Sequence, residues 1–137
     1  MERKEDSMNK ILDRLTIEEH NDKEFIFVDY KGLKENEMIK LVNGHLELTL
    51  ERKLPFLADF HNTFATPGYM IHAKKFIEST KSIIDKGALL GIDPIKAWIL
   101  RGIVYDYNVN YKSFETVEKA ITFLTSTTTS VIQSSEQ

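Results

Sequence analysis

At 137 residues, 42% of them apolar, the chain has the size of one domain with a sizeable core. Its 18 Lys and Arg against 21 Asp and Glu leave a formal charge of −3, which argues against a nucleic-acid footprint and against a polybasic membrane anchor. With no Cys, disulfides, thiolate zinc sites and cysteine nucleophiles are excluded together, and no apolar run is long enough to span a bilayer. The charged start MERKEDSMNK lacks the apolar stretch of a signal peptide, so a cytoplasmic protein is expected, with residues 1–10 as a flexible tail.

In chain order, Leu15 and Ile17 alternate with polar residues as in a half-exposed strand. His20-Asn21-Asp22-Lys23 reads as a turn, and Phe25-Ile26-Phe27-Val28 as a second strand, so the chain opens with a hairpin. Lys34–Glu51 favours helix, with Met38, Leu41, Val42, Leu46 and Leu50 as its apolar stripe and Gly44 as a weak point. A third strand is expected over Lys53–Phe60. Thr66-Pro67 then opens a helix by N-cap and first-turn proline, running to Lys86 with Gly87 as its stop.

Ala88–Ile92 is apolar on both faces, as a central strand is. Asp93-Pro94 starts a third helix carrying Ile95, Trp98, Ile99, Ile103 and Val104 inward, with Lys96 and Arg101 on its wet side. Tyr111–Phe114 forms a last short strand. A closing helix from Glu115 or Thr116 follows, with Val117, Ala120, Ile121 and Leu124 facing inward. From 125 to 137 the composition is Ser, Thr, Gln and Glu, and a disordered tail is expected. The ordered domain therefore spans residues 11–124. Its order implies an α/β fold with a mixed, mostly parallel five-stranded sheet and about four helices.

Several of these residues resemble the SpoIIAA-like group of bacterial STAS proteins. They are Phe27-Val28-Asp29-Tyr30-Lys31-Gly32-Leu33, Leu57-Ala58-Asp59-Phe60, Thr66-Pro67-Gly68-Tyr69-Met70, Phe76-Ile77 with Thr80-Lys81, Gly87-Ala88, and Phe114-Glu115-Thr116 before Ala120 and Leu124. The resemblance runs from about Leu15 to Leu124 and implies a STAS-like fold and a regulatory, protein-binding role. In anti-sigma-antagonist STAS proteins the third strand leads into the second helix through an Asp-Ser-Ser/Thr-Gly context whose hydroxyl is phosphorylated. Here Asp59 is followed by Phe60, His61 and Asn62, and the nearest hydroxyls are Thr63 and Thr66. The group also resembles the CRAL-TRIO lipid-transfer fold, which implies an apolar ligand or a membrane surface as an alternative partner.

Asp29 and Asp59 fall at strand C-termini, where open α/β sheets place ligands. A receiver-type metal pocket would need paired acids after one strand and a Thr and a Lys after later ones. That pattern is missing, so caps and turns are the default for these carboxylates. His61 and His72 have no metal-ligand spacing, no Gly-x-Ser-x-Gly elbow exists, and the six glycines form no phosphate loop. No cofactor, metal or catalytic set is therefore expected. The expected site is Asp59–Tyr69: Asp59, His61, Thr63, Phe64 and Thr66, with Phe64 exposed, Thr66 a helix cap and Thr63 free to serve as a regulatory hydroxyl. The expected function is a non-enzymatic protein-interaction module. A carrier of a lipid or other apolar small molecule is the alternative, and a homodimer is left open.

Overall fold

The structure is a computed structural model and describes residues 10–126; the tails expected over 1–10 and 125–137 lie outside the described residues except for Lys10, Thr125 and Ser126. A short 3-10 turn leads into β1 (Leu15–His20) and β2 (Lys23–Asp29), followed by α1 (Glu35–Arg52), β3 (Phe56–Asp59) and α2 (Pro67–Thr80). Then come β4 (Gly87–Leu90), α3 (Pro94–Tyr107), β5 (Tyr111–Ser113) and α4 (Val117–Thr125). The hairpin forms because Asn21 and Asp22 both take positive φ, 55° and 64°, the two-residue geometry whose twist matches paired strands. It sets His20 opposite Lys23 and Ile17 opposite Ile26.

The strands lie in chain order, β1-β2-β3-β4-β5, with only β1–β2 antiparallel. Side chains alternate between the two faces of the sheet. Ile26, Val28, Phe56, Ala58 and Leu89 pack with Met38, Leu41 and Val42 of α1 and with Tyr69, Phe76 and Ile77 of α2. Leu100, Ile103 and Val104 of α3 sit partly buried against the same face. Phe25, Leu57, Ala88 and Leu90 face the other way, onto Ala120 and Leu124 of α4. Three helices thus cover one face and a single helix covers the other, the outcome of crossovers of one hand across strands stepping in one direction.

Helix starts follow the expected caps. Thr66 Oγ1 accepts from Tyr69 N at 3.2 Å, Asp93 Oδ1 from Lys96 N at 2.9 Å and Thr116 Oγ1 from Lys119 N at 3.2 Å. Several boundaries differ from the sequence reading. The second helix was expected to reach Lys86 but ends at Thr80, whose hydroxyl donates to Phe76 O at 2.8 Å while Ile83 N and Ile84 N both turn back to Thr80 O. Gly87 is the first residue of β4, and a Cβ there would stand 2.4–3.0 Å from three atoms of the Phe56 ring. The third strand begins at Phe56 because Lys53, with φ 55° and its N–H on Thr49 O, caps α1 instead. Thr125, assigned by composition to the tail, closes α4 and is buried.

Candidate functional site

The segment from β3 to α2 is bound into the rim of the sheet. Tyr30 N donates to Asp59 O at 3.0 Å, Gly32 N to His61 O at 3.0 Å, and Phe60 N to Leu90 O at 2.9 Å. Loops after three neighbouring strands are therefore laced together. Asp59 Oδ1 accepts from His61 N at 3.0 Å and lies 2.7 Å from His61 Nδ1. A carboxylate oxygen only accepts, so this contact places a ring proton on Nδ1. Asp29 stands beside Asp59 in the β2–β3 register but serves its own turn, accepting from Lys31 N at 3.1 Å. Among the described residues no three His, Asp or Glu converge as metal ligands.

Both hydroxyls of the segment are committed to the backbone. Thr66 caps α2, as expected. Thr63 was expected to carry no structural duty; it is only 4% exposed and donates to Phe60 O at 2.7 Å, closing the turn around Asn62, which takes positive φ. A Thr three residues after a carbonyl can fold back on it, and this local bond wins over exposure. Phe64, the next residue, is 81% exposed, in line with its expected place at the surface.

Behind this loop lies a feature that the sequence reading did not place. A partly open cavity of about 100 Å³ lies between α3 and the sheet, with Phe56, Ala58 and Leu89 on the sheet side. Ala73, Phe76 and Ile77 line it from α2, and Lys96, Ile99, Leu100 and Ile103 from α3. The lining is overwhelmingly apolar, and Phe64 stands in it. The cavity exists because α3 docks loosely: none of its side chains is fully buried.

Three expectations for α3 are corrected. Trp98 and Ile95, read as inward at core spacing, are outside, Trp98 being 71% exposed. Lys96, read as part of the wet face, lines the cavity with a side chain only 12% exposed, its ammonium 3.2 Å from Asp93 Oδ2. A Lys can bury its stem while its head stays paired at the rim. The helix Pro94–Tyr107 carries apolar residues on both faces, so the inward stripe could not be chosen from spacing alone. That two-sided character was the available signal for an incompletely covered helix.

The inner wall is aromatic. Tyr30 stacks on Phe60 at 4.6 Å and meets Tyr69 edge-on at 5.6 Å, their phenols close to each other. His45 of α1 stacks on Phe76 at 4.3 Å and meets Phe56 edge-on at 5.1 Å, and Tyr111 meets Phe56 at the same distance. Burial holds the phenols of Tyr30, Tyr69 and Tyr111 well above the ordinary tyrosine range and pushes His45 down to about 3. The inner wall is therefore uncharged at neutral pH. His45 was missed because the expected stripe of α1 ran through Leu46 and Leu50. The buried face runs Met38, Leu41, Val42, His45, Thr49, and Leu50 is half exposed. Two polar residues at core spacing were its mark.

No family model matches the chain, and no curated protein matches it. Among solved structures it is similar to an uncharacterized protein of the DUF3478 family with a SpoIIAA-like fold from Shewanella loihica PV-4. The TM-score is 0.66 at 18% identity, over 80% of this chain and 91% of that one. The likeness shows the fold: a SpoIIAA-like α/β domain, as the residue patterns implied. Among the described residues no helix is long and apolar enough to cross a membrane.

Proposed function

We propose that this SpoIIAA-like domain is a non-enzymatic receptor for a small apolar molecule, taken up between α3 and the sheet. One observation carries the reading: an apolar cavity of about 100 Å³ under a helix with no fully buried side chain. At ~24 cal/mol per Å³ an enclosed void of that size forfeits about 2 kcal/mol, an upper bound for this partly open space on what an occupant regains. The volume is about two-thirds of an engineered cavity, roughly 150 Å³, that accepts benzene, so a ring or the end of a chain fits better than a whole lipid. The commitment of Thr63 and Thr66 to the backbone supports the non-enzymatic part, since neither is poised beside His61 as a nucleophile.

Native mass spectrometry of gently purified protein tests this reading. The expected result is a bound small molecule that is absent from the Ala73→Phe variant, in which a ring fills the cleft. A protein that carries no such mass, and is not stabilised by toluene or 1-hexanol, would refute it.

A second reading, a regulatory protein-interaction module acting through the β3–α2 loop, is favoured by Phe64, a large apolar side chain held in water by a rigid loop. Its test is capture of partners from host lysate by wild type and Phe64→Ala. Retention of every partner by the variant excludes the loop as the interface.

A further inference from the structure

The cleft contains polar atoms that the fold itself leaves unsatisfied. His45 is 2% exposed, and its Nε2 has no hydrogen-bond partner among the described residues. The buried Tyr111 hydroxyl lies near that of Thr80, whose proton is given to Phe76 O, and makes no well-formed hydrogen bond either. Both side chains touch the Phe56 ring, and all three line the cavity. Of the other polar groups of the lining, Thr63 is engaged with Phe60 O and Lys96 with Asp93, while the Tyr30 and Tyr69 phenols lie close to each other. A buried polar atom without a partner is unfavourable, and an apolar residue of similar size would suit the same place better. Both residues line one cavity although neither unpaired atom is open to water, so their partner arrives only with an occupant that shifts the side chains around them.

We propose that the occupant of the cleft is an apolar molecule carrying one neutral hydroxyl, received at the Phe56 end of the cavity by His45 Nε2 and the Tyr111 hydroxyl. This inference rests on the cleft reading above. A hydroxyl fits because it donates and accepts at once, so it serves either tautomer of His45 or the Tyr111 phenol; a carbonyl can only accept. A carboxylate is disfavoured because the inner wall holds no cation to offset its desolvation, the one lysine of the lining being paired with Asp93.

The test uses the full chain and three probes of similar size, namely toluene, phenol and benzoate. They are titrated at pH 7 into wild type, His45→Phe and Tyr111→Phe and followed by methyl chemical shifts. Because toluene and phenol differ in hydration, the quantity read is the ratio of their affinities, compared between proteins as in a mutant cycle. The ratio is expected to move toward toluene by roughly threefold to tenfold in each variant, the range of one net hydrogen bond. Should His45→Phe fail to fold, Tyr111→Phe, which loses a single oxygen, decides alone. A ratio unchanged in a folded variant overturns the proposal while leaving the cleft reading intact, as does benzoate binding more tightly than phenol. If neither toluene nor phenol binds the wild type, the cleft reading falls and this proposal falls with it.

Discussion

Lowering the pH from 7.5 to 5 should weaken the fold through His45 specifically. Burial holds its imidazole at about 3, against an ordinary value of 6.5, so the native state keeps it neutral throughout this range while the unfolded chain protonates below 6.5. The proton is therefore bound preferentially by the unfolded state: the contribution is constant above pH 6.5 and declines as the pH falls toward 3. At pH 5 the unfolded imidazole lies about 1.5 units inside its protonated range, which at 1.36 kcal/mol per unit removes about 2 kcal/mol. Phe56 and Phe76 flank the ring, and the only other ionisable groups lining the cavity among the described residues are tyrosines and the paired Lys96, so no carboxylate of the lining rescues the charged form. Urea unfolding followed by circular dichroism, on wild type and His45→Phe in parallel, isolates this residue, since His20, His61 and His72 are common to both proteins and none is buried. Wild type should lose about 2 kcal/mol more than the variant between pH 7.5 and 5. Parallel profiles would show that His45 finds a proton-stabilising partner and that the description of the inner wall is mistaken.

Two glycines with nearly the same backbone should respond differently to alanine. Gly32 has φ +73° and open space around it, so Gly32→Ala should cost about 1 kcal/mol of backbone strain. Gly91, at φ +74°, would bring a Cβ to 2.4 Å from the backbone N of His61, so Gly91→Ala should cost clearly more than Gly32→Ala in urea unfolding; equal costs would dissolve the laced rim. Gly87→Ala should destabilise by about 1–3 kcal/mol by displacing the Phe56 ring, as read from the same melts. Thr125→Val keeps shape but loses the bonds to Ile121 O and from Asn21 Nδ2, and should lower stability by about 1 kcal/mol; no change would return Thr125 to the tail.

The order of elements, the hairpin and the SpoIIAA-like fold could be read in the sequence because they rest on local chemistry: Asn21-Asp22 for the turn, Thr66-Pro67 and Asp93-Pro94 for helix starts, and apolar runs for buried strands. The site was legible in part. Phe64 and Thr66 stand where spacing and capping put them. Thr63 does not, because a hydroxyl folding back on a carbonyl three residues earlier leaves no trace in composition. The cleft was hidden for another reason. Whether Ile99 or Trp98 faces inward depends on how far α3 stands from the sheet, a distance set by tertiary packing, and its two apolar faces offer no local preference. His45 and Thr49 were overlooked because a polar residue inside a stripe is easily passed over in favour of the leucines beside it.

The placement of α4 bears on how the chain reaches its native state. Each strand after the first lies beside the one made just before it, so the side of the sheet under α1, α2 and α3 can be assembled progressively as the chain lengthens. The reverse side cannot. Phe25, Leu57 and Leu90 await a helix from the far end, and α4 is the element that reaches back across β4, β3 and β2. Its arrival is fastened by Asn21 Nδ2 on Thr125 Oγ1 at 3.2 Å, across 104 residues, and by Lys86 Nζ on Phe123 O at 2.7 Å. Until then a growing chain presents a broad apolar sheet surface to its neighbours, so the moment of greatest aggregation risk in synthesis falls just before Val117–Thr125 becomes free to dock.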